Sequence, residues 1–372
     1  IRAFFDLVIG MKDVISLGVG EPDFVTPWNV REAAVYSLGK GYTSYTSNAG
    51  LLELRDEIAR FLSLHRGISN DPKSQILVTV GVSEGIDLAM RALLNPGDEV
   101  IIPEPAFVAY APMVTLAGGT PVILDTWTVP GFKVTPAALE KAVTKRTKAL
   151  LLNYPSNPTG TSYTRGELLG IAGVVKKHDL LMITDEVYDL LSYDLPHVAT
   201  PSLPGMHERT LYLNGFSKGF AMTGFRLGYA CGPAPLIAAM TKVHQYTLMC
   251  ASITAQMAGI EALRHGLKDA KAMAREYDRR RRMFVKGLNE AGLECHMPGG
   301  AFYAFPSVRK TGVDGMTFAR RLLETERVAV VPGTAFGKGG KDYVRMAYAS
   351  SYDDLKEALV RMARFIKSLR NG

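Results

Sequence analysis

The chain has 372 residues, of which 47% are hydrophobic and 21% are charged, and its formal net charge is +7. These values are those of a globular protein with room for two domains, and they argue against disordered and fibrous classes. No apolar run approaches the roughly 18 residues that predict a membrane-spanning helix. The densest basic cluster, Arg279 to Arg282, lies in a helical pattern. We expect it to face partly water and partly the protein, and we expect neither nucleic acid nor a membrane as a partner.

The three cysteines, with no CxxC spacing and no histidine pair nearby, argue against a disulfide framework and against a zinc site. We therefore predict no metal site and a reducing compartment, the cytoplasm. The first residue is Ile1 and not methionine, so we expect the gene to begin further upstream.

In chain order, the first distinctive segment is the turn from Gly18 to Phe24, where two glycines and a proline let backbone amides approach a ligand. Helical patterns follow at residues 28–40 and 52–65. The polar loop between these helices carries Tyr45, which fits either the edge of a hairpin or a ligand contact.

From residue 75 the chain repeats a strand, a turn and a helix, which predicts a mostly parallel sheet with crossover helices. The strand at residues 75–80 leads into a helix that opens with Gly81, Val82 and Ser83. Backbone amides at such a helix N-terminus, with a hydroxyl beside them, suit a phosphate group. Capping of the helix by Ser83 is the simpler alternative.

Two further strands end in groups that could face a ligand at the carboxyl edge of the sheet. The strand at 98–102 is followed by Phe107, for which packing in the core is the alternative. The strand at 149–153 runs into the turn 154–160, where two X-Pro bonds favour a rigid turn that can hold a cis peptide. That turn would fix Asn157 as a hydrogen-bond donor.

The last strand ends supply a carboxylate and an amine. The apolar strand 180–184 ends at Asp185, which either binds a cation or donor or caps a helix. Between the apolar runs 210–213 and 227–231, a loop holds Lys218 with a second cation eight residues later. A lysine beside another cation and away from water favours its neutral amine, which attacks carbonyl groups. A lysine that faces solvent is the alternative.

Together these strand ends offer a phosphate seat, an aromatic face, a fixed amide, a carboxylate and an amine. Pyridoxal 5′-phosphate (PLP) needs this set, because its aldehyde takes a lysine and its ring nitrogen takes an acid.

Three motifs carry a resemblance to a known family: the segment Ser217 to Tyr229, the SNPTG turn at 156–160 and the pair Asp185 and Tyr188. In these motifs the chain resembles the fold-type I, class I aminotransferases, from Gly18 to the C-terminal helix. The subgroup that it resembles contains prokaryotic aspartate, aromatic and N-acetyl-diaminopimelate aminotransferases.

The resemblance implies an α/β fold with a large domain, built on a mostly parallel sheet, and a small α/β domain. The large PLP-binding domain is expected at residues 28–283 and the small domain at residues 1–27 and 284–372. A helix at residues 270–291 would bridge the two domains.

The resemblance also implies roles for the residues that match the family's motifs. Lys218 would form a Schiff base with PLP and move the proton, Asp185 would keep the ring nitrogen protonated, and Tyr188 would act beside them. The other implied cofactor contacts are at the phenolic oxygen (Asn157 and Tyr188), the ring face (Phe107) and the phosphate (Val82, Ser83, Ser217 and Arg226).

Two residues are implied to act beyond the cofactor. Arg345, on a strand predicted at 343–348, matches the arginine that binds the substrate α-carboxylate, with Gly20 and Asn157 beside it. An exposed arginine on an edge strand is the alternative. Tyr45 resembles a tyrosine that reaches the phosphate of a second subunit, which implies a homodimer with shared sites.

The chain departs from the family's pattern at two positions. Phe107 stands where many relatives have tryptophan or tyrosine, so it keeps ring stacking without a polar contact. Gly215 stands where some members carry a serine that binds the phosphate.

The predicted activity is a PLP-dependent, ping-pong transfer of an amino group between an L-amino acid, aspartate or aromatic, and a 2-oxo acid, 2-oxoglutarate. One alternative is a PLP-dependent lyase that cleaves a C–S bond. A second is an N-acetyl-diaminopimelate aminotransferase, because the run Val243 to Tyr246 and the turn at Tyr154 and Pro155 resemble that group. A PLP-sensing transcription regulator would carry a DNA-binding domain ahead of this fold, and the sequence shows none.

Overall fold

The computed structural model describes residues 11–371, so residues 1–10 of the predicted small domain lie outside the described residues. The strands are β1 (Ile15–Ser16), β2 (Ile76–Thr79), β3 (Glu99–Glu104), β4 (Thr120–Asp125), β5 (Thr147–Asn153), β6 (Leu181–Asp185), β7 (Thr210–Gly215), β8 (Gly228–Cys231), β9 (Tyr303–Ala304), β10 (Val328–Ala329), β11 (Val331–Pro332) and β12 (Val344–Ala347).

The α-helices are α1 (Trp28–Gly39), α2 (Leu52–Arg66), α3 (Gly81–Leu93), α4 (Tyr110–Leu116), α5 (Pro136–Ala142), α6 (Arg165–Lys177), α7 (Ala234–Thr247), α8 (Ile253–His265), α9 (Leu267–Glu290), α10 (Gly315–Glu326) and α11 (Tyr352–Asn371). Among these, no helix is both long enough and apolar enough to cross a membrane, as far as residues 11–371 show.

A central sheet of seven strands runs in the order β2-β8-β7-β6-β5-β3-β4. All neighbouring strands are parallel except β8, which is antiparallel to both of its neighbours. Strands β2, β7 and β8 are buried along their whole length, which fits their short, continuously apolar runs. The predicted α/β fold with a mostly parallel sheet is confirmed.

The carboxyl ends of the parallel strands meet at one edge of this sheet, as their common direction requires. The ends of β3, β5, β6 and β7 and the loops that follow them therefore lie side by side, and they carry Phe107, Asn157, Asp185 and Lys218 in turn. This edge positions four of the predicted site residues.

A second, smaller group of strands brings the two ends of the chain together. Strands β11, β12 and β9 form an antiparallel sheet, and β1 pairs in parallel with β10. Leu17 donates its N–H to the carbonyl of Ala329 at 2.9 Å and accepts from the N–H of Ala347 at 2.7 Å. The turn that begins at Gly18 is thereby fixed beside β12. The division into two domains at the predicted boundaries stays a prediction.

Helix α9 contains the run Arg279 to Arg282. As expected, some of these four side chains face the protein and the others face water. Arg280 and Arg281 are buried, while Arg279 and Arg282 are exposed on the other side of the helix. All four bind carboxylates, so the most basic cluster of the sequence is neutralised within the fold.

Candidate active site

The carboxyl edge of the central sheet and the strand β12 enclose a cleft of about 610 Å³. All of the predicted site residues line this cleft except Tyr45. The cleft therefore brings together residues that lie far apart in the sequence, such as Gly20 and Arg345.

Lys218 lies in the loop after β7 and points into the cleft. Its Nζ donates a hydrogen bond to the carbonyl of Gly20 at 2.7 Å. Burial, together with the nearby guanidinium groups of Arg345 and Arg226, lowers the pKa of Lys218 from 10.5 to about 8, although the carboxylate of Glu21 acts in the opposite direction. The alternative of a lysine that faces solvent is wrong, and a fraction of the amine is neutral near pH 8.

Asp185 is the last residue of β6 and is almost completely buried. Its carboxylate accepts from the hydroxyl of Tyr110 at 2.7 Å and from the N–H of Val187 at 3.2 Å. Burial nevertheless raises the pKa of Asp185 from 3.8 to about 6. No α-helix begins at this residue, so the capping alternative is wrong. A cationic partner in the cleft would stabilise the carboxylate.

The first turn of α3 forms one wall of the cleft. Ser83 does not cap this helix, because it lies inside the first turn and the N-cap residue is Val80. The carboxylate of Glu84 accepts from the N–H of Val80 at 2.5 Å. The hydroxyl of Ser83 thus remains available at the cleft wall, beside the amide of Val82. A helix N-terminus with a free hydroxyl favours an anion.

Arg226 and Ser217 complete this wall from the loop on either side of Lys218. The guanidinium packs so closely on the backbone that a Cβ placed on Gly81 would lie 2.6 Å from its Nη2 atom. A Cβ on Gly215 would lie 2.9 Å from the carbonyl oxygen of Leu227. The serine that some family members carry at this position therefore has no room on this backbone.

Arg345 lies on β12, the middle strand of the small sheet, and is buried. Its Nη1 donates to Oδ1 of Asn157 at 2.9 Å and its Nη2 donates to the carbonyl of Gly18 at 2.6 Å. Its Nε is buried and has no partner among the described residues. The alternative of an exposed edge arginine is wrong, and the guanidinium retains capacity for a carboxylate ligand.

Asn157 and Tyr188 line the same cleft as Arg345. The turn that holds Asn157 contains cis peptide bonds before Pro155 and before Pro158, so the expectation of a cis peptide is confirmed. The hydroxyl of Tyr188 lies 2.8 Å from the hydroxyl of Tyr303, which also packs against Gly20.

Phe107 lines the cleft and contacts the ring of Tyr110 edge to face, with centroids 5.5 Å apart. The alternative that it is only a core residue is wrong. Tyr45, in contrast, is 81% exposed and lies outside the cleft of its own chain. Its role as a contact to a second subunit stays a prediction.

Two tyrosines of the cleft have no role that the sequence predicts. Tyr110 opens α4, and Tyr303 lies on β9, where it also covers Arg345 at 4.6 Å from the ring centroid. Each is the only tyrosine in an otherwise apolar stretch that follows a proline or glycine turn. That pattern is equally typical of core residues, so the sequence alone does not identify these two tyrosines as residues of the cleft.

The cleft thus holds an amine at the carboxyl edge of a mostly parallel sheet. Residues 12–362 match the model of the family "Aminotransferase class I and II", and the chain belongs to this family. It is therefore an aminotransferase, as the sequence predicts. PLP is the cofactor of this family.

Known relatives cover almost the whole chain. The Bacillus subtilis (strain 168) protein named "Putative aminotransferase YugH" is 56% identical over 98% of this chain and 95% of its own length. The aspartate aminotransferase of Pyrococcus abyssi is 46% identical over 99% of this chain and 95% of its own length. The crystal structure of an aromatic aminotransferase from Pyrococcus horikoshii superposes with a TM-score of 0.94 at 47% identity, covering 99% of both chains.

Proposed function

We propose that this chain binds PLP in the cleft and uses it to transfer an amino group from an L-amino acid to a 2-oxo acid in a ping-pong cycle. One observation carries the proposal. Lys218 and Arg345 face one cleft, and within residues 11–369 neither forms an ion pair with a carboxylate. An amine with a lowered pKa suits a carbonyl group, and an arginine with neutral partners suits a carboxylate.

The residues of the cleft fit the chemical groups of PLP. The raised pKa of Asp185 indicates a carboxylate that gains from a cation, which the protonated ring nitrogen would supply. The first turn of α3 with Ser83, Ser217 and Arg226 offers amide, hydroxyl and guanidinium donors for a phosphate. When bound, PLP supplies an aldehyde that accepts amino groups and a ring that withdraws electrons from the substrate carbon.

The chain's own residues would then hold and move protons. Lys218 Nζ, once released from the cofactor, would carry the proton between the substrate carbon and the cofactor, which its lowered pKa favours. Asp185 would remain ionised beside the ring nitrogen, with Tyr110 and Val187 holding its orientation. Asn157 and Tyr188 would donate to the phenolic oxygen of the ring.

Two further contacts would orient the reactants. Phe107 would cover one face of the ring. Arg345 would bind the α-carboxylate of the substrate, with Gly20 and Asn157 beside it, because its Nε is buried and unpaired among the described residues. The guanidinium is already held by two hydrogen bonds, so little ordering is needed when a carboxylate binds.

The substrate is proposed from relatives with high identity. The names of similar proteins include aspartate and aromatic-amino-acid aminotransferases. We therefore assign aspartate or an aromatic amino acid as the amino donor and 2-oxoglutarate as the acceptor. The similarity to a protein named as an N-acetyl-LL-diaminopimelate aminotransferase makes that compound a third donor to test.

A second copy of the chain would complete the site. Large apolar side chains are exposed, among them Trp28 at 65%, Tyr36 at 61% and Tyr246 at 85%. Burial of such side chains in a homodimer would remove the cost of their exposure, and the dimer would bring Tyr45 to the phosphate site of the partner. A cytoplasmic location stays a prediction.

The test is half-reaction spectroscopy on the PLP-loaded protein. Each candidate amino acid is mixed with it in the absence of a 2-oxo acid, and the cofactor absorbance and the released acid are recorded. The proposal expects one equivalent of 2-oxo acid per site and full recovery of the absorbance on addition of 2-oxoglutarate. Pyruvate and ammonia released repeatedly from cystathionine would instead show a lyase.

A further inference from the structure

A buried pair of side chains lies directly behind the first turn of α3. Glu84 follows Ser83, and its Oε2 accepts from the backbone N–H of Val80 at 2.5 Å. Its Oε1 lies 2.6 Å from Nδ1 of His244, on α7. A carboxylate oxygen accepts hydrogen bonds, so Nδ1 carries the proton of this contact. Glu84 therefore ties the entry of α3 to a neighbouring helix.

Packing alone does not account for a histidine at this place. His244 is 0% exposed, and its Nε2 is buried with no hydrogen-bond partner in the part of the chain that the structure describes. An unpaired buried nitrogen is unfavourable, and an apolar side chain of similar size would avoid it. What an apolar side chain could not provide is the Nδ1–H donor to Glu84.

The backbone of His244 also takes part in the hydrogen bonds that end α7. Its carbonyl accepts from the N–H groups of Leu248 and Met249, each at 3.0 Å. The carbonyl of Met249 in turn accepts from the side-chain amide of Asn48 at 2.9 Å. Asn48 belongs to the exposed loop that carries Tyr45. A continuous series of hydrogen bonds thus leads from the entry of α3 to that loop.

We propose that Glu84 and His244 are a positioning pair for the phosphate group of the cofactor, which rests on the proposed PLP site. Neither side chain lines the cleft. They hold the turn from Val80 to Ser83 so that the amide of Val82 and the hydroxyl of Ser83 converge on one phosphate. The pair acts on the affinity for PLP and not on the chemical step.

Two variants of His244 separate the donor from the bulk of the side chain. His244→Leu removes the Nδ1 donor, whereas His244→Asn places an amide N–H near the same position. We expect the dissociation constant of PLP to rise about 10-fold in His244→Leu and by less than about threefold in His244→Asn. The turnover number at saturating PLP is expected to change less than about twofold in either variant.

The affinity is measured by fluorescence titration of the full-length, PLP-free protein with PLP, with circular dichroism to confirm folding. Glu84→Gln retains an acceptor for only one of its two donors, so it should raise the dissociation constant about threefold. This variant keeps the proposal testable if His244→Leu does not fold.

A matched control lies at the opposite edge of the sheet. Thr144 donates its hydroxyl to the buried carboxylate of Glu99 at 2.5 Å, near the amino ends of β3 and β5. Thr144→Val removes a hydrogen bond to a buried carboxylate just as His244→Leu does. Its affinity for PLP should equal that of the wild type.

The outcomes separate this inference from the proposed function. If His244→Leu binds PLP as tightly as the wild type, or if Thr144→Val weakens binding equally, the positioning role is wrong. If His244→Asn is as weak as His244→Leu, the donor is not the cause and the proposal is also wrong. If Arg226→Gln leaves the affinity unchanged, the phosphate site itself is misassigned.

Discussion

Buried arginines occur in two regions of this protein, and their surroundings differ. In α9, Arg281 is fully buried and binds Asp194 at 2.7 Å and Asp278 at 2.5 Å. In the cleft, Arg345 is almost as deeply buried, but its hydrogen-bond acceptors are the neutral oxygens of Asn157 and Gly18.

The difference distinguishes a structural cation from a ligand-binding one. A guanidinium that is paired with carboxylates has its charge neutralised within the fold, so it does not attract an anionic ligand. A guanidinium held only by neutral acceptors keeps its charge for an anionic ligand, which compensates for its burial when it binds. Lys218 belongs to the second group, because its Nζ donates only to a carbonyl.

The largest effect is expected at Lys218. Lys218→Ala removes the amine that would bind PLP and move the proton, so we expect the turnover number to fall about 1000-fold or more. The turnover number is measured by steady-state transamination with 2-oxoglutarate as the acceptor. The control is Lys286→Ala on α9, because this lysine is 76% exposed and forms only a loose ion pair with Glu290. Wild-type turnover in Lys218→Ala would refute the account.

The two arginines provide the next test. Arg345→Met should raise the KM for the amino acid about 100-fold, since two charge-assisted hydrogen bonds to its carboxylate are lost. The free energy of unfolding of the PLP-free protein should fall by less than about 1 kcal/mol.

Arg281→Met should show the reverse pattern. It removes the buried cation from Asp194 and Asp278 and leaves them only the exposed Arg282. The free energy of unfolding should therefore fall by about 2–3 kcal/mol, while KM in the folded fraction is unchanged. Urea titration and steady-state kinetics on both variants measure the contrast. Equal losses of stability in the two variants would remove the distinction between the regions.

A smaller effect is expected from pH. The pKa of Lys218 is lowered from 10.5 to about 8, so between these values the unfolded chain binds more protons than the folded one. The free energy of unfolding of the PLP-free protein should therefore rise with pH across this window, by about 3 kcal/mol. Lys218→Met should lack this rise. Urea titrations at pH 7.5 to 10.5 compare the two proteins, and parallel curves would contradict the lowered pKa.

The smallest effect is expected at Tyr110. Tyr110→Phe removes one donor from Asp185, which should raise the pKa of this carboxyl above about 6 and weaken PLP binding about threefold to tenfold. Tyr163→Phe is the control, because this buried tyrosine also loses one hydrogen bond, to the N–H of Val134, outside the cleft. The dissociation constant of PLP should change only in Tyr110→Phe.

The sequence predicts where a site residue lies when that position follows from the strand or loop that contains the residue. Asp185 and Lys218 follow apolar strands directly, and parallel strands place their carboxyl ends at one edge. Their convergence was therefore predictable before the structure, as was the mostly parallel sheet. The motifs around Lys218 then supplied the family.

Contacts between distant segments were not predictable in the same way. Tyr110 and Asp185 are 75 residues apart and meet only because β3 and β6 flank β5. Local patterns do not give the order of strands in a sheet. The contact of Arg345 with Gly18 likewise depends on the pairing of β1 with β10, which lie far apart in the sequence.

The most direct measurement is to fix the cofactor to the protein chemically. The PLP-loaded protein is reduced with borohydride, digested and analysed by mass spectrometry. If Lys218 is the amine that binds PLP, one phosphopyridoxyl group is found per chain, on the peptide that contains Lys218. A label on another lysine, or none in a protein that is active with PLP, would contradict the central claim.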